Sequence, residues 1–272
     1  MPAIGVFDSG VGGLSVLRAL RQALPHERFV YVADAGYAPY GERDVAHVLA
    51  RASAIGHYLV EVHHVKALVV ACNTATAAAI ATLRATYPLL PIVGVEPALK
   101  PAAAQSRTGV VGVLATLSTL ASEKFQTLLK AQSSAVRFVL QACDGLAAAI
   151  ERADPAQIDA LCRRYTAALG PVGSAPGCID TVVLGCTHYP FVSDVLQGLL
   201  GPEVTLLDAG WPVAQRTAQL LGSLNASVNR PDSGLDASPL LELWTTGEPD
   251  ALQVAARQWI KSDVLAHKAL IE

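Results

Sequence analysis

Short runs of apolar residues recur along the chain and alternate with stretches in which apolar residues return every three or four positions. The short runs predict β-strands at residues 4–10, 29–34, 67–73, 92–96, 109–116, 136–143, 180–186 and 204–210. The longer stretches, such as GLSVLRALRQAL and VAHVLARASAIGHYLVE, predict α-helices. Continuous apolar strands that alternate with helices are typical of parallel sheets covered on both faces. The pattern therefore predicts an α/β fold with mainly parallel sheets.

The pattern also contains an internal repeat. Residues 4–9 (IGVFDS) match residues 111–116 (VGVLAT) by residue type, and each segment is followed downstream by a strand that leads to a cysteine, Cys72 or Cys186. We interpret this as two similar α/β halves that face each other, with the active site in the cleft between them. The C-terminal segment after about residue 210 is expected to return to the first half. The expected domains are residues 1–96 plus 210–272, and residues 97–209.

The two cysteines lie where an α/β protein collects its ligands. In parallel sheets the ligand site lies beyond the carboxyl ends of the strands, and both Cys72 and Cys186 follow a strand directly. Asn73-Thr74 and Pro190 are signals for a helix start after each cysteine. Because a helix N-terminus lowers the pKa of a thiol, both cysteines are candidates for acid–base or nucleophilic chemistry.

Composition and charge point to a small-molecule ligand. Hydrophobic residues make up 52% of the 272 residues and charged residues 16%, which excludes a disordered chain. The net charge of −3 gives no electrostatic reason to expect binding to nucleic acid or to a membrane surface. The N-terminal MPAIGVFDSG has no basic region, and no apolar stretch reaches the roughly 18 residues of a membrane span. We therefore expect a cytoplasmic protein.

The five cysteines do not form a disulfide or zinc-binding pattern. They are odd in number and contain no CxxC pair, so their thiols are expected to be free. A buried cysteine usually acts as a small hydrophobic residue, and we keep that interpretation for Cys143, Cys162 and Cys178. Cys72, Cys186 and a nearby histidine show no recognisable zinc-ligand spacing, so no metal site is expected.

A glycine-rich turn offers an alternative function. Residues 8–13 (DSGVGG) follow the first strand, and Asp34 ends the next one, which is loosely similar to a dinucleotide-binding fingerprint. Asp8 argues against this interpretation, since its carboxylate would repel a pyrophosphate but would attract an ammonium group or assist a neighbouring thiol. The turn could also need glycine only for backbone freedom.

Two further features allow both a structural and a functional interpretation. Tyr40-Gly41, in the loop AGYAPYGER, forms either an ordinary turn or a set of exposed amides that hold a carboxylate. His188 lies two residues after Cys186 and is either a capping or core residue or the acid–base partner of that thiol.

Taken together, these motifs resemble those of the glutamate racemases. The matching segments are IGVFDSGVGGLSVL, YVADAGYAPYGER, VVACNTATA, VGVEPALKPA, GVLATLST, VVLGCTHYPF and WTTGEPD. They cover nearly the whole chain, and the combination of CNTA with GCTHYP is specific. Maleate isomerases and aspartate racemases share the two-cysteine plan but would not be expected to carry these flanking segments. A related acid isomerase and a nucleotide-binding protein remain the competing hypotheses.

The resemblance implies an isomerase that interconverts L- and D-glutamate without a cofactor. Its product would be D-glutamate for peptidoglycan synthesis, and hence for cell wall biogenesis and cell shape. Inversion of an α-carbon removes a proton from one face and returns one to the other, so two bases must flank the substrate. Two thiols meet that requirement. Many members of the family are dimers, so a homodimer is expected.

The resemblance also implies roles for individual residues. Cys72 would take the proton from D-glutamate with assistance from Asp8. Cys186 would take it from L-glutamate with assistance from His188 and Glu151. The residues expected to hold the substrate are Asp8, Ser9, Tyr40, Gly41, Asn73, Thr74, Thr116, Thr119 and Thr187.

Two segments depart from the family pattern. Where the family often reads ACPxxxPLVE, this chain reads ACDGLAAAIE, so Glu151 is assigned only by counting eight residues from Cys143. A serine commonly follows the position of Asp208, and here the segment is LLDAG. Neither departure affects the cysteines.

Overall fold

A computed structural model describes residues 2–134, 136–225 and 240–271. The chain forms two compact units, one made of Met1–Val95 with Gly210–Glu272 and the other of Glu96–Ala209. The strands are β1 Ile4–Asp8, β2 Phe29–Ala33, β3 Ala67–Val70, β4 Ile92–Gly94, β5 Val110–Ala115, β6 Arg137–Ala142, β7 Thr181–Leu184, β8 Thr205–Leu207, β9 Leu241–Thr245 and β10 Ala266–Lys268. Each of the strands predicted from the apolar runs is present.

Helices connect most of these strands, as βαβ crossovers require. Their bounds are α1 Leu14–Ala23, α2 Val45–His57, α3 Asn73–Thr86, α4 Leu99–Gln105, α5 Leu117–Ala121, α6 Glu123–Gln132, α7 Leu146–Glu151, α8 Pro155–Ala168, α9 Ser193–Leu200, α10 Gly210–Asn225 and α11 Pro249–Ile260. Short 3₁₀ turns at Ala35–Tyr37, Tyr40–Glu42 and Tyr189–Val192 lie close to the candidate site residues.

The first unit contains a parallel sheet in the order β10-β9-β2-β1-β3-β4. Residues of β1, β2 and β3 are buried throughout, which agrees with their continuous apolar sequence and with cover on both faces. The sequence did not predict β9 and β10. In β9 buried and half-buried residues alternate, and β10 is a three-residue edge strand, so neither forms a continuous apolar run.

The second unit contains a parallel sheet in the order β6-β5-β7-β8. The predicted α/β class with two mainly parallel sheets is therefore confirmed. In each unit the repeated strand, β1 or β5, lies between the strand that follows it and the strand that leads to a cysteine. Ile4 pairs with Ala67 in the first sheet, and Val111 pairs with Thr181 in the second.

The matching registers make the two sheets equivalent position by position. Counting from these pairs, the residue two positions beyond the end of β3 is Cys72, and the residue two positions beyond the end of β7 is Cys186. The segment equivalence proposed from the internal repeat therefore extends to the third strand of each unit, and it places the two thiols at the same point of the same topology.

Candidate active site

Cys72 lies at the N-terminus of a long helix. It is the N-cap residue of α3, and its Sγ accepts a hydrogen bond from the backbone N–H of Ala75 at 3.4 Å. The thiol is buried, and its Sγ lies 3.9 Å from Oγ of Ser9. Partial positive charge at a helix N-terminus favours a thiolate over a thiol. The predicted helix start after this cysteine is confirmed.

The first strand ends in a fully buried carboxylate that bonds the glycine-rich turn before α1. Oδ2 of Asp8 accepts a hydrogen bond from the backbone N–H of Gly13 at 2.7 Å. A Cβ atom at Gly13 would lie 2.6 Å from Cβ of Asp8, so only glycine allows the turn to pack this closely. The carboxylate of Asp8 therefore occupies an amide of the glycine-rich turn that a phosphate would need, which weakens the nucleotide-binding alternative.

Other predicted substrate contacts of the first unit lie on the same strand ends. Ser9, Asn73 and Thr74 are all buried. Oδ1 of Asn73 is buried, and among the described residues it has no hydrogen-bond partner. An oxygen in that situation is costly unless something else donates to it, and the ammonium group of an amino acid is a suitable donor.

Tyr40 and Gly41 form a short 3₁₀ turn after β2. Tyr40 is almost fully buried and its hydroxyl donates to Oδ2 of Asp34 at 2.5 Å, while Gly41 is partly exposed. Burial, together with the charge of Asp34, raises the pKa of Tyr40, so its hydroxyl remains protonated. Of the two interpretations of this loop, a turn with an accessible glycine backbone agrees with the geometry, and the tyrosine hydroxyl points to the protein.

Cys186 begins a chain of three hydrogen-bonded groups in the second unit. Its Sγ lies 3.6 Å from Nδ1 of His188, and Nε2 of the same ring lies 2.5 Å from Oε1 of Glu151. Cys186 and His188 are buried, and Glu151 ends α7. A nucleophile or base, an imidazole and an orienting carboxylate in this order form the arrangement found in activated thiol and hydroxyl sites.

The pKa of the imidazole in this series is raised, which favours its positively charged form. Burial by itself lowers the pKa of His188, but the hydrogen bonds to Cys186 and Glu151 raise it well above its usual value. A charged imidazole stabilises a thiolate next to it and can also return a proton to it. This geometry favours the acid–base interpretation of His188 over a capping or core role.

The helix start predicted after Cys186 is present, but its first turn is a 3₁₀ turn. A 3₁₀ turn at Tyr189–Val192 comes first, and the next α-helix, α9, begins only at Ser193. Pro190 lies in the 3₁₀ turn, and a proline fits the first turn of either kind of helix. The second thiol therefore has His188 as its cationic neighbour, and the first has a helix N-terminus.

The remaining predicted residues of the second unit are threonines. Thr116 is the N-cap residue of α5, and its Oγ1 accepts from the backbone N–H of Thr119 at 3.2 Å and donates to the hydroxyl oxygen of Thr119 at 2.9 Å. Thr119 and Thr187 are buried. Thr116 directly follows β5, as Ser9 directly follows β1. The two residues are equivalent because Ile4 to Asp8 correspond to Val111 to Ala115.

In the first unit, one charged residue near Tyr40 was not predicted from the sequence. Arg51, on α2, forms a two-pronged ion pair with Asp34, with both N···O distances at 3.0 Å. An arginine on an amphipathic helix gives no signal of burial, so only the structure identifies the pair. It also removes the nucleotide interpretation of Asp34, since this carboxylate is committed to a guanidinium and a tyrosine hydroxyl.

The other cysteines lie outside these contacts or in the core. All five cysteines are thiols outside any disulfide. Cys143 and Cys162 are buried and Cys178 is partly exposed.

In the part of the chain that the structure describes, His, Cys, Asp and Glu side chains form no group of three that could hold a metal ion. No helix within the described ranges has the length and hydropathy needed to cross a membrane.

The fold and the two thiols define an α/β protein with a repeated cysteine site at matching strand ends. A sequence profile of the Asp/Glu/hydantoin racemase family matches residues 4–217. A glutamate racemase from Ectopseudomonas mendocina is 48% identical over 250 residues, which cover 92% of this chain and 91% of that protein. The chain therefore belongs to the Asp/Glu/hydantoin racemase family and is a racemase, a kind of isomerase.

Solved structures agree with this assignment. A glutamate racemase isoform from Bacillus anthracis matches with a TM-score of 0.84 and 29% identity, covering 99% of this chain and 97% of that one. The Escherichia coli glutamate racemase, solved with L-glutamate and the activator UDP-MurNAc-ala, matches with a TM-score of 0.82 and 30% identity, covering 100% and 99%. The resemblance that the motifs predict is confirmed.

Proposed function

We propose that this chain is a glutamate racemase that inverts the α-carbon by proton transfer between two cysteines. The observation that carries the proposal is the hydrogen-bonded series Cys186–His188–Glu151, together with Cys72 at the equivalent position of the first sheet. Glutamate is the substrate named for the E. mendocina and E. coli relatives, and the similarity to them covers most of the chain.

The proposed reaction needs one thiolate and one thiol at a time. With D-glutamate, the thiolate of Cys72 takes the α-proton, the electron pair remains on the α-carbon, and the thiol of Cys186 returns a proton to the opposite face. With L-glutamate the roles reverse. Two bases on opposite faces are required because a single base would return the proton to the face from which it came.

Each thiol has its own means of remaining a thiolate in this proposal. For Cys72 the N-terminus of α3 stabilises the negative charge, and Asp8 accepts or returns the proton. For Cys186 the charged imidazole of His188, held by Glu151, serves both purposes. The residues proposed to hold the amino and carboxylate groups of glutamate are Asp8, Ser9, Asn73, Thr74, Thr116, Thr119 and Thr187, together with the backbone of the turn at Tyr40 and Gly41.

The direct test is racemisation by the purified protein. Incubation with L-glutamate should yield D-glutamate, measured by chiral chromatography or by loss of circular dichroism, and aspartate and other amino acids should react far more slowly. In deuterated water the product enantiomer should carry deuterium from the earliest turnovers while the remaining substrate keeps its proton. Equal early exchange into both enantiomers would show that one base serves both faces.

The reaction is proposed to need no cofactor, because the two thiols complete the proton transfers and none of the six lysines lies in a motif for pyridoxal phosphate. Activity should therefore survive dialysis against a chelator and hydroxylamine. A visible chromophore, or activity that returns only when pyridoxal phosphate or a metal is added, would contradict this.

Two alternatives have clear outcomes in the same experiments. A related acid isomerase would convert a different substrate in the amino-acid and dicarboxylate panel. A nucleotide-binding protein would show a nucleotide-induced thermal shift, but Asp8 already occupies the N–H of Gly13 in the candidate phosphate turn. The role in peptidoglycan synthesis, the homodimer and the cytoplasmic location stay predictions that depend on the proposed activity.

A further inference from the structure

A buried polar cluster lies directly beyond the carboxyl end of β2 in the first unit. Its centre is Asp34, whose side chain is fully buried. One carboxylate oxygen, Oδ2, accepts from Nε of Arg51 at 3.0 Å and from the hydroxyl of Tyr40 at 2.5 Å. The other, Oδ1, accepts from the second guanidinium nitrogen at 3.0 Å and from Oγ1 of Thr246 at 2.8 Å. We call these four residues the Asp34 cluster.

The Asp34 cluster joins three distant parts of the chain. Arg51 also donates to the backbone carbonyl of Ile271 at 3.1 Å and lies 3.6 Å from the ring centroid of Tyr37. Oγ1 of Thr246 accepts from the backbone N–H of Gly36 at 3.1 Å. The loop after β2 is therefore tied both to α2 and to the C-terminal segment.

The cluster is also linked to the thiol site of the same unit. The backbone N–H of Asp34 donates to the carbonyl of Asp8 at 2.9 Å, so the two strand ends are held together. Tyr40 packs in the same apolar core cluster as Cys72. A change in the position of Tyr40 therefore changes the surroundings of Cys72 and of Gly41.

Stability alone does not explain a buried ion pair. Removing two charges from water costs several kcal/mol per ion, so apolar residues of similar volume often stabilise a fold equally well. The ion pair instead fixes the orientation of the Asp34 carboxylate. Arg51 and Thr246 fix both oxygens of Asp34, and the fixed carboxylate then holds the hydroxyl of Tyr40.

We propose that Asp34, Arg51 and Thr246 are positioning residues that hold the Tyr40–Gly41 turn in its substrate-binding place beside Cys72. The hydroxyl of Tyr40 is committed to Asp34, so it serves this anchor and does not itself bind substrate. The role in substrate binding rests on the proposed glutamate racemase function, while the anchoring of the turn does not.

Thr246→Val provides the mildest test, because it keeps the shape of the side chain and removes only the hydrogen bond to Asp34 and the acceptor of the Gly36 N–H. We expect KM for both enantiomers to rise about tenfold with kcat changed less than about twofold, since a misplaced binding group weakens substrate binding first. Thr86→Val is the matched control. Its hydroxyl bonds the carbonyl of Thr82 on the exposed face of α3, so its KM should equal that of the unmodified protein.

Two measurements do not depend on catalysis. Amide hydrogen exchange at residues 37–43, which exclude the Gly36 amide that bonds Thr246 directly, should be about tenfold faster in Thr246→Val than in Thr86→Val, because an anchor of the loop is lost. The rate of alkylation of Cys72 by iodoacetamide, followed by peptide mass spectrometry, should also rise, by about threefold, as the turn beside it loosens.

A double-mutant cycle separates anchoring from direct binding. If the hydroxyl of Tyr40 acts only through Asp34, then Tyr40→Phe, Asp34→Asn and the double variant should raise KM by similar factors, so the effects are not additive. Arg51→Lys should show an intermediate increase, and Arg84→Lys, whose guanidinium bonds the carbonyl of Ile92, none. Additive effects in the cycle would show that the hydroxyl contacts substrate and would overturn its assigned role.

The outcomes distinguish this proposal from the proposed function. Unchanged exchange at residues 37–43 in Thr246→Val overturns the anchoring, and faster exchange with unchanged KM overturns the positioning role. An unmodified protein that fails to racemise glutamate overturns the proposed substrate. In that case the exchange and Cys72 alkylation rates still decide the proposal: faster rates support an anchored turn beside the thiol, and unchanged rates refute it.

Discussion

The two units place a cysteine at the same point of the same sheet topology but surround it differently. By strand register, Asp8 at the end of β1 corresponds to Ala115 at the end of β5. Conversely, His188 lies two residues after Cys186, and the residue at the same position after Cys72 is Thr74. The residue proposed to exchange a proton with the thiol thus comes from the central strand in the first unit. In the second unit it comes from the loop that holds the cysteine itself.

The helix that follows each thiol differs as well. Cys72 caps a helix of 14 residues, and Cys186 is followed by a four-residue 3₁₀ turn. Cys72 therefore lies against the backbone dipoles of a helix N-terminus, whereas Cys186 lies 3.6 Å from Nδ1 of His188. Even the equivalents at the end of the second strand differ, since Asp34 corresponds to the buried thiol of Cys143.

The comparison shows which properties a repeated fold transmits. The strand order fixes the position of each thiol in its sheet, whereas the polar groups around the thiol are supplied separately in each half. This is reasonable for the proposed reaction, because L- and D-glutamate are mirror images but the protein around them is not. Each face of the α-carbon therefore needs its own environment.

The largest expected effect comes from removing either thiol. Cys72→Ala and Cys186→Ala should each lower racemisation by about 10⁴-fold or more, since no neighbouring group can replace the missing base. Initial rates from both enantiomers, followed by chiral chromatography, measure this. If the halves are equivalent in function, the two losses should be of the same order.

Cys162→Ala is the control for thiol removal, because Cys162 is buried in the second unit and belongs to neither proposed site. It should keep activity within about twofold, although the small cavity costs stability. A variant lacking only Cys72 or only Cys186 that still racemises glutamate at a normal rate would break the two-base comparison.

The second prediction separates the two environments by direction. His188→Asn and Asp8→Asn should each reduce kcat/KM by about 10²- to 10⁴-fold, the usual range of acid–base assistance. Because enantiomers have equal free energy, kcat/KM must fall equally in both directions. The asymmetry should appear in the primary deuterium isotope effect, which should rise for L-glutamate in His188→Asn and for D-glutamate in Asp8→Asn.

Identical isotope effects in those two variants would mean that both residues position substrate and that neither serves a particular thiol. Asp208→Asn provides a carboxylate control, since Asp208 follows β8 and has no proposed role in proton transfer. Its isotope effects should remain those of the unmodified protein.

The third prediction concerns Glu151, which acts only through His188. Glu151→Gln should lower kcat/KM by about 10- to 100-fold, at or below the lower limit of direct acid–base assistance. Burial lowers the pKa of His188 while its bonds to Cys186 and Glu151 raise it, so the variant should have a lower pKa for this ring. The basic limb of its pH–rate profile should shift to lower pH, and the first unit has no counterpart to this shift.

The free energy of unfolding of Glu151→Gln should also depend on pH through His188. A histidine whose pKa is raised on folding stabilises the protein fully below its unfolded pKa of about 6.5, and this contribution is lost as pH rises through the folded pKa. Urea unfolding of Glu151→Gln should therefore show its largest deficit near pH 6 and a smaller one under strongly basic conditions. Glu203→Gln, an exposed control, should show no such trend. A deficit that grows with pH would contradict the assigned ion pair.

The smallest effect on activity is expected at the amino-terminal ends of the strands, opposite the cysteines. The residue before the third strand is Lys66 in the first unit, paired with Glu27, and Asp180 in the second. Asp180 accepts from Oγ of Ser106 and from two backbone N–H groups at 2.7–3.0 Å. Asp180→Asn should cost about 1–3 kcal/mol of stability and Lys66→Met about 1 kcal/mol or less, with kcat/KM within about twofold.

The pH dependence of Asp180→Asn has the opposite sign to that of Glu151→Gln. Burial raises the pKa of Asp180, but its hydrogen bonds lower it below the usual value overall. Its contribution is therefore present above the unfolded pKa of about 3.9 and is lost as pH falls through the folded pKa. The deficit measured by urea unfolding should be full at neutral pH and vanish in strong acid. A large loss of activity would show that this edge also shapes the site.

Much of the candidate site followed from sequence because its residues lie at strand ends. Asp8, Cys72 and Cys186 were identified as the residues that follow continuous apolar runs, and parallel topology sends such residues to one edge of a sheet. Glu151 was assigned only by counting and by family resemblance. The structure then placed it against His188, a contact between residues 37 positions apart that no local pattern encodes.

The sequence by itself determined the alternation of buried strands and helices, the internal repeat and the family, because apolar periodicity and short motifs are local properties. The tertiary structure decided which groups meet. It paired Asp34 with Arg51, placed β9 beside β2, and gave the helix that starts after Cys186 a first turn of 3₁₀ form. The physical reason is that ion pairs, edge pairing and the geometry of a helix start depend on burial and on long-range packing, which residue types along the chain do not specify.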